Sequence, residues 1–198
     1  DGSVWTALAG GLRDGNVHAL TVFDDLTQGG VSLFAGGTFI DGGGPSGDYI
    51  AKWQDGEWRP VGLGFDGPVY ALALHKIGGV EKLYAGGDFK FACGDAACND
   101  ENSTVVNGVA VWDGTSWSAV GNGINQYGDV RTLYSYQEGY DCSSGPYLFA
   151  GGSFTTQNGP GNRLARWDGT DWTGLLPDTG GDGVYNKSVL AMIGFTND

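Results

Sequence analysis

Basic residues, cysteine, histidine, proline and long apolar runs are all scarce in this chain of 198 residues. Ten basic against 23 acidic side chains give a net charge of −13, which argues against nucleic-acid binding because phosphates would be repelled. Only 6 prolines and 40% hydrophobic residues argue against a collagen-like or disordered chain. No apolar run approaches the roughly 20 residues that span a bilayer, so we expect no membrane insertion. No segment shows the helical period, and we expect essentially no helix.

Glycine and tryptophan, with 38 and 7 residues, are abundant, and both follow a threefold repeat. An apolar stretch that ends in Ala-Gly-Gly and continues to a phenylalanine occurs at residues 33–39, 83–89 and 148–154. Each copy is followed by two tryptophans: Trp53 and Trp58, Trp112 and Trp117, Trp167 and Trp172. The first tryptophans of these pairs lie 59 and 55 residues apart. A repeat of this length, built from short strands, is typical of propeller blades.

Each repeat contains four short segments with the alternation or compact apolar run of a strand. We expect blade units at residues 17–62, 69–121 and 130–175, and single strands of incomplete blades at 4–9 and 188–195. The tryptophans are expected to pack between neighbouring blades, and the glycine pairs to permit close packing rather than to bind phosphate. An Asp-Gly dipeptide between the third and fourth strands predicts a tight hairpin. The predicted fold is therefore all-β, a propeller-type array of four-stranded antiparallel blades.

The combined pattern of Trp-Asp-Gly-x-x-Trp, Val-x-Ala-Leu and Leu-Tyr-Ala-Gly-Gly-x-Phe resembles the kelch-type blade. It is closer still to a family of secreted bacterial repeat proteins, and it is also similar to the fungal cortical polarity-marker propellers. The resemblance covers almost all of the 198 residues. It implies a β-propeller whose first strands are innermost, and an interaction role more often than a catalytic one.

The number of repeats is too small for the chain alone to form a closed propeller ring of the usual kind. About three and a half repeats are present, whereas propellers usually close with 4 to 8 blades. Unmatched strands at Trp5 and Val189 would leave open edges that invite pairing with another chain. We favour the chain being a segment of a longer array. The alternative is that copies of the chain complete one another, either in a closed ring or in a filament.

The longest insertion, residues 90–108, follows a second strand and contains two of the three cysteines. Loops after second strands and loops after first strands lie on opposite faces of a blade array. Cys93 and Cys98 are therefore expected to form a local disulfide, and Cys142 to remain single. Thiols divided between two faces, with histidines at unlike strand positions, argue against zinc. No metal or other cofactor is expected, and calcium bound by the acidic loop is the alternative.

Loops on the face that holds this insertion contain the candidate ligand-binding residues. Exposed tyrosines there would stack on sugar rings, or they would only cover the ends of the blades. The candidates are Tyr49, Tyr127, Tyr185, Asp95, Asp100 and Glu101. Two N-glycosylation triplets, at Asn102 and Asn186, fall on the same face.

The function expected from the sequence is a non-catalytic extracellular interaction or structural module, with a cell-surface or secreted location. Its partner is a protein or glycan surface, a second copy, or the remainder of a longer chain. A copper oxidase of the kelch fold would need two histidines converging at the axis, whereas His18 and His75 occupy unlike positions. The alternative function is a carbohydrate-binding lectin or a carbohydrate-active enzyme of propeller fold.

Overall fold

The computed structural model describes residues 2–25, 30–40, 42, 48–98, 101–124, 128–136, 146–155, 162–175 and 188–194. Within these ranges the chain forms 14 strands and no helix. In chain order the strands are β1 (Val17–Asp25), β2 (Gly30–Gly37), β3 (Ile50–Gln54), β4 (Glu57–Pro60), β5 (Val69–Ile77), β6 (Val80–Gly87), β7 (Phe91–Ala92), β8 (Thr104–Val105), β9 (Val109–Trp112), β10 (Trp117–Ala119), β11 (Val130–Tyr136), β12 (Tyr147–Thr155), β13 (Asn162–Trp167) and β14 (Trp172–Gly174).

Twelve of the strands form three antiparallel four-stranded sheets, each built from one sequence repeat. Unit 1 has the order β1-β2-β3-β4, unit 2 the order β5-β6-β9-β10, and unit 3 the order β11-β12-β13-β14. The remaining strands, β7 and β8, pair with each other inside the long insertion of unit 2. The all-β fold with antiparallel four-stranded sheets, predicted from the sequence, is confirmed.

The same strand register recurs in all three units. In unit 1, the second glycine of the Ala-Gly-Gly stretch pairs with Val17, and the first glycine pairs with Ala19, which leaves His18 in a bulge. Units 2 and 3 repeat this irregularity at the equivalent residues. A β-bulge strengthens the local twist of a strand. Each repeat therefore twists its first strand in the same way at the same end.

The tight turns after the first tryptophans take two forms. In unit 1, Asp55 and Gly56 both have positive φ, at 54° and 82°, which is the two-residue turn that matches the strand twist. In units 2 and 3 the aspartate stands one position earlier and receives backbone N–H bonds. Asp113 accepts bonds from the amides of Thr115 and Ser116, both at 2.8 Å, and these bonds lower its pKa to about 2.

The glycine pairs allow successive units to approach closely. A Cβ atom at Gly36 would lie 2.5 Å from Val69 Cγ1, and one at Gly86 would lie 2.7 Å from Val130 Cγ1. Each contact joins the second strand of one unit to the first strand of the next. The second glycine of each pair meets the backbone of its own unit instead, because a Cβ at Gly87 would overlap the Pro68 carbonyl oxygen. The expectation that these glycines are packing positions is confirmed.

The two largest hydrophobic clusters lie between successive units, and the tryptophans cross these junctions. Trp117 of unit 2 donates its indole N–H to the Val61 carbonyl at the end of unit 1, at 3.0 Å. Trp172 of unit 3 donates in the same way to the Val120 carbonyl at the end of unit 2, also at 3.0 Å. Both tryptophans are buried. The prediction that the tryptophans pack between units is confirmed at both junctions.

The single strands expected at 4–9 and 188–195 are not strands in this structure. Residues 4–9 form no ladder, and Trp5 is fully exposed. Residues 188–194 also form no ladder, although the Val189 amide donates to the Gly152 carbonyl at 3.1 Å. Residue 195 lies outside the described residues. A strand needs neighbouring strands to satisfy its backbone, and within the described residues neither segment belongs to a sheet.

Candidate functional site

The disulfide loop of unit 2 is held by its own hydrogen bonds. Cys93 and Cys98 form a disulfide. Asp95 accepts bonds from the Ala97 amide at 3.0 Å and from the Asn102 side-chain amide at 2.8 Å, so both of its carboxylate oxygens are engaged within the loop. Glu101 and Asn102 are exposed. The loop is therefore a closed turn in which the predicted ligand Asp95 has a structural role.

Tyr49, a predicted ligand-binding residue, lies against the core rather than standing free on a loop. Its half-buried side chain packs against the cluster between units 1 and 2. Burial raises the pKa of Tyr49, and the neighbouring carboxylates of Asp48 and Asp66 raise it further. The other predicted site residues, Tyr127, Tyr185, Asp100 and Asn186, lie outside the described residues, as does Cys142. Within the described ranges, no group of three or more His, Cys, Asp or Glu residues is placed to hold a metal ion.

Three side chains from equivalent positions form a row across the first strands of the units. His18 lies edge-on to Tyr70, with ring centroids 5.3 Å apart. The Arg131 guanidinium lies over the Tyr70 ring, 4.0 Å from its centroid, and pairs with the Asp129 carboxylate. These contacts link units 1, 2 and 3. Sequence reasoning considered His18 only as a metal ligand, and it did not single out Tyr70 or Arg131. The aligned repeats could have revealed these equivalent positions, because each residue directly follows the first valine of its repeat.

The most informative surface is the face of unit 1 that points away from unit 2. We call it the unit 1 face, and its members are Val17, Leu20, Val22, Leu33, Trp53 and Trp58. Val17 is 45% exposed, whereas the equivalent Val69 and Val130 of units 2 and 3 are fully buried. Leu20 is 61% exposed, against 9% for the equivalent Leu133. In units 2 and 3 the preceding unit covers this face, whereas on unit 1 much of it is exposed and Leu12 packs with Trp58 against one part of the sheet.

One polar atom on the unit 1 face lacks the partner that its equivalents have. The indole N–H of Trp58 is buried and has no hydrogen-bond partner among the residues that the structure describes. The same atom of Trp117 and Trp172 donates to the final carbonyl of the preceding unit. A buried N–H without an acceptor costs about 1–3 kcal/mol. The unit 1 face therefore lacks an acceptor at the position where the other junctions have one.

An apolar groove opens at the opposite end of the array, between unit 3 and residues 188–194. Its volume is about 520 Å³. We call it the unit 3 groove, and its walls include Tyr134, Phe149 and Leu164 of unit 3 with Val189 and Ile193 of the last segment. Phe149 is only half-buried, whereas the equivalent Phe34 and Tyr84 are buried by the following unit. The groove is thus the uncovered counterpart of the internal junctions.

A buried histidine lies at the junction between units 2 and 3. His75 is almost completely buried, and its Nδ1 is 2.8 Å from the Ser135 hydroxyl of unit 3. Its buried Nε2 has no hydrogen-bond partner within the described ranges. Burial lowers the pKa of His75 below its ordinary 6.5. The unfolded chain therefore takes up a proton near pH 6.5 that the folded chain does not bind. Stability is fully retained above that pH and is lost as the pH falls toward the lowered pKa.

We expect this loss to disappear when His75 becomes phenylalanine, the residue that unit 1 has at the equivalent position, Phe23. The measurement is the denaturant midpoint at about pH 8 and about pH 5, for the original chain and for His75→Phe. The pH-dependent difference should shrink in His75→Phe. It should persist in His18→Gln, which changes the exposed histidine of the chain. An equal difference in all three proteins would show that other groups cause it.

Comparison with protein-family models, with curated proteins and with solved structures finds no match for this chain. The part of the chain that the structure describes contains no helix with the length and hydrophobicity needed to cross a lipid bilayer.

Proposed function

We propose that this chain is a non-catalytic extracellular interaction and structural module, a segment of a kelch-like β-propeller-type array. Its three sheets are the blades of that array, and it works by packing the face of one blade against the face of another. The exposed part of the unit 1 face and the unit 3 groove are then its binding surfaces. The partner is a further blade of the same kind, supplied by a second copy or by a longer chain.

The observation that carries this proposal is the contrast between equivalent residues. Val17 is 45% exposed where Val69 and Val130 are fully buried. Val17 is therefore apolar although, in the isolated chain, it is in contact with solvent rather than with a neighbouring unit. Contiguous exposed apolar surface of this kind is typical of interaction sites. The disulfide between Cys93 and Cys98 supports an extracellular location, because such bonds persist in oxidising compartments.

The alternative, a calcium-dependent lectin or a carbohydrate-active enzyme, has less support. Both oxygens of Asp95 accept hydrogen bonds inside the disulfide loop, and Tyr49 is half-buried against the core. A glycan array with and without calcium tests this alternative directly. Saturable, calcium-dependent sugar binding that is lost when Glu101 becomes glutamine would favour the lectin over the structural module.

The proposed function is tested by the mass of the protein in solution. Light scattering across a wide range of protein concentrations should give a mass above that of one chain, increasing with concentration. A charge on the unit 1 face, Leu20→Asp, should reduce this association. Val105→Glu is the control, since Val105 is an exposed apolar residue of β8, in the insertion of unit 2 and outside that face. A single-chain mass at every concentration would contradict self-association.

A further inference from the structure

We infer that the unit 1 face of one copy binds the unit 3 groove of another, head to tail, with β1 of the first copy replacing residues 188–194 of the second. This inference rests on the proposed function and names the contact through which it acts. Joined in this way, unit 3 and the next unit 1 form the same junction that units 1 and 2, and units 2 and 3, form within one chain.

The unpartnered indole of Trp58 gives the contact its register. At each internal junction, a tryptophan N–H donates to the backbone carbonyl three residues after the second tryptophan of the preceding unit, at Val61 or Val120. Leu175 is the equivalent residue at the end of unit 3. In the head-to-tail contact, Trp58 of one copy donates to the Leu175 carbonyl of the other. The buried N–H that has no partner in one chain then has the same kind of partner as Trp117 and Trp172.

The apolar side chains on the two surfaces match in the same register. At the internal junctions a leucine from the second strand, Leu83 or Leu148, is completely buried against the preceding unit. The equivalent Leu33 is only half-buried. On the other surface, Phe149 lines the open groove, whereas its equivalents are covered. Leu33 and the Trp53–Trp58 pair of one copy therefore fill the groove beside Phe149 of the other.

Residues 188–194 occupy the place that β1 of the second copy takes. Val189 lies against Gly151, where a Cβ would be 2.6 Å from Val189 Cγ1, just as Val69 and Val130 lie against Gly36 and Gly86. The segment repeats the valine and alanine with which β1 and β5 begin, but it forms no ladder and exposes Leu190 and Ile193. A first strand that already pairs along its own sheet brings three further strands to the contact. It therefore buries more apolar surface than the segment it displaces.

The contact is heterologous, since it joins two different surfaces, and such contacts close into rings or extend into filaments. Two copies would supply six units, which lies within the 4 to 8 blades of closed propellers. Both the ring and the filament use the contact inferred here. Electron microscopy of the assembled protein shows which of them forms.

Two variants, each blocking one surface, test the contact. Leu20→Asp blocks the unit 1 face, and Phe149→Asp blocks the unit 3 groove, with Tyr134→Lys as a second groove variant should Phe149→Asp fail to fold. Each variant alone should be a single chain by light scattering. An equal mixture should form a dimer of one copy of each and nothing larger, because one open surface of each kind remains. Variants that stay single in the mixture, or that associate alone, would overturn the head-to-tail contact.

The hydrogen bond of Trp58 is tested by a pair of matched substitutions. Trp58→Phe should weaken association roughly threefold to tenfold, the worth of one buried hydrogen bond, without lowering the stability of the single chain. Trp117→Phe removes the equivalent bond of an internal junction, so it should lower stability and leave association unchanged. Equal association of Trp58→Phe and the original chain would overturn the inferred register.

The displacement of residues 188–194 has its own test. Val189→Asp loosens this segment from unit 3 and should strengthen association, whereas weakened association would show that the segment belongs to the contact. The failure of this inference differs from the failure of the proposed function. If the original chain and both blocked variants all associate, only the inferred contact is refuted. A chain that never associates refutes self-association as well.

Discussion

Gly87→Ala is expected to lower the free energy of unfolding by about 4 kcal/mol or more, which is exceptional for a single substitution. The added Cβ would overlap the Pro68 carbonyl oxygen and come within 2.8 Å of the Phe89 ring. The carbonyl belongs to the backbone beside the repeated bulge, so it moves only if the first strand of unit 2 moves. Gly37 and Gly152 have the same overlap with the residue before the first strands of their units, Asn16 and Asp129. The effect should therefore recur in all three units.

Thermal and denaturant unfolding measure this effect. A loss of this size corresponds to a decrease in melting temperature of roughly 10 °C for a chain of this length. Gly10→Ala is the matched control, because Gly10 does not have a positive φ and its Cβ would meet only the Arg13 side chain, at 3.4 Å. It should change the melting temperature little. If Gly87→Ala were as stable as Gly10→Ala, the glycine pairs would not be positions of obligatory close packing.

Most of the sheet structure could be predicted because each repeat carries its own local signals. Alternating apolar residues and the glycine pairs fall at the same places in all three repeats, and an Asp-Gly turn joins the same two strands in each, one position later in unit 1. The structure places twelve strands there in three sheets. The single strands at 4–9 and 188–195 were predicted from the same patterns, and no strand forms at 4–9 or at 188–194, the part of the second segment that the structure describes. Sequence pattern reports only which residues favour a strand, whereas a ladder also requires neighbouring strands to accept its hydrogen bonds.

The candidate site was harder to predict, because its evidence is a difference in burial between equivalent residues. Val17, Val69 and Val130 are the same residue in the same pattern, and only the structure shows that one of them is bare. The burial of His75 and the ion pair between Asp25 and Lys52 could not be predicted from the sequence either. Asp25 follows Asp24 at the end of a strand, where acidic residues are normally solvated. Its burial results from contact with unit 2, which is distant in sequence.

Lys52→Val is expected to lower the free energy of unfolding by about 3–5 kcal/mol, the usual cost of removing one partner from a buried ion pair. The Lys52 ammonium lies 3.7 Å from the Asp25 carboxylate, and both side chains are at least 95% buried. Asp25 also accepts the Trp112 indole N–H at 3.3 Å, across the junction between units 1 and 2. Without the ammonium, the buried carboxylate loses the positive charge of its lysine partner.

A double variant separates the charge from the packing. Lys52→Val has the same residue that unit 2 has at the equivalent position, Val111, so the shape suits a strand of this kind. Adding Asp25→Asn removes the buried charge but keeps an oxygen to accept the Trp112 N–H. The double variant should therefore recover most of the stability that Lys52→Val loses. Denaturant unfolding of the two single variants and the double variant gives the coupling energy. Equal losses in Lys52→Val and in the double variant would show that packing of the lysine stem, rather than its charge, stabilises the junction.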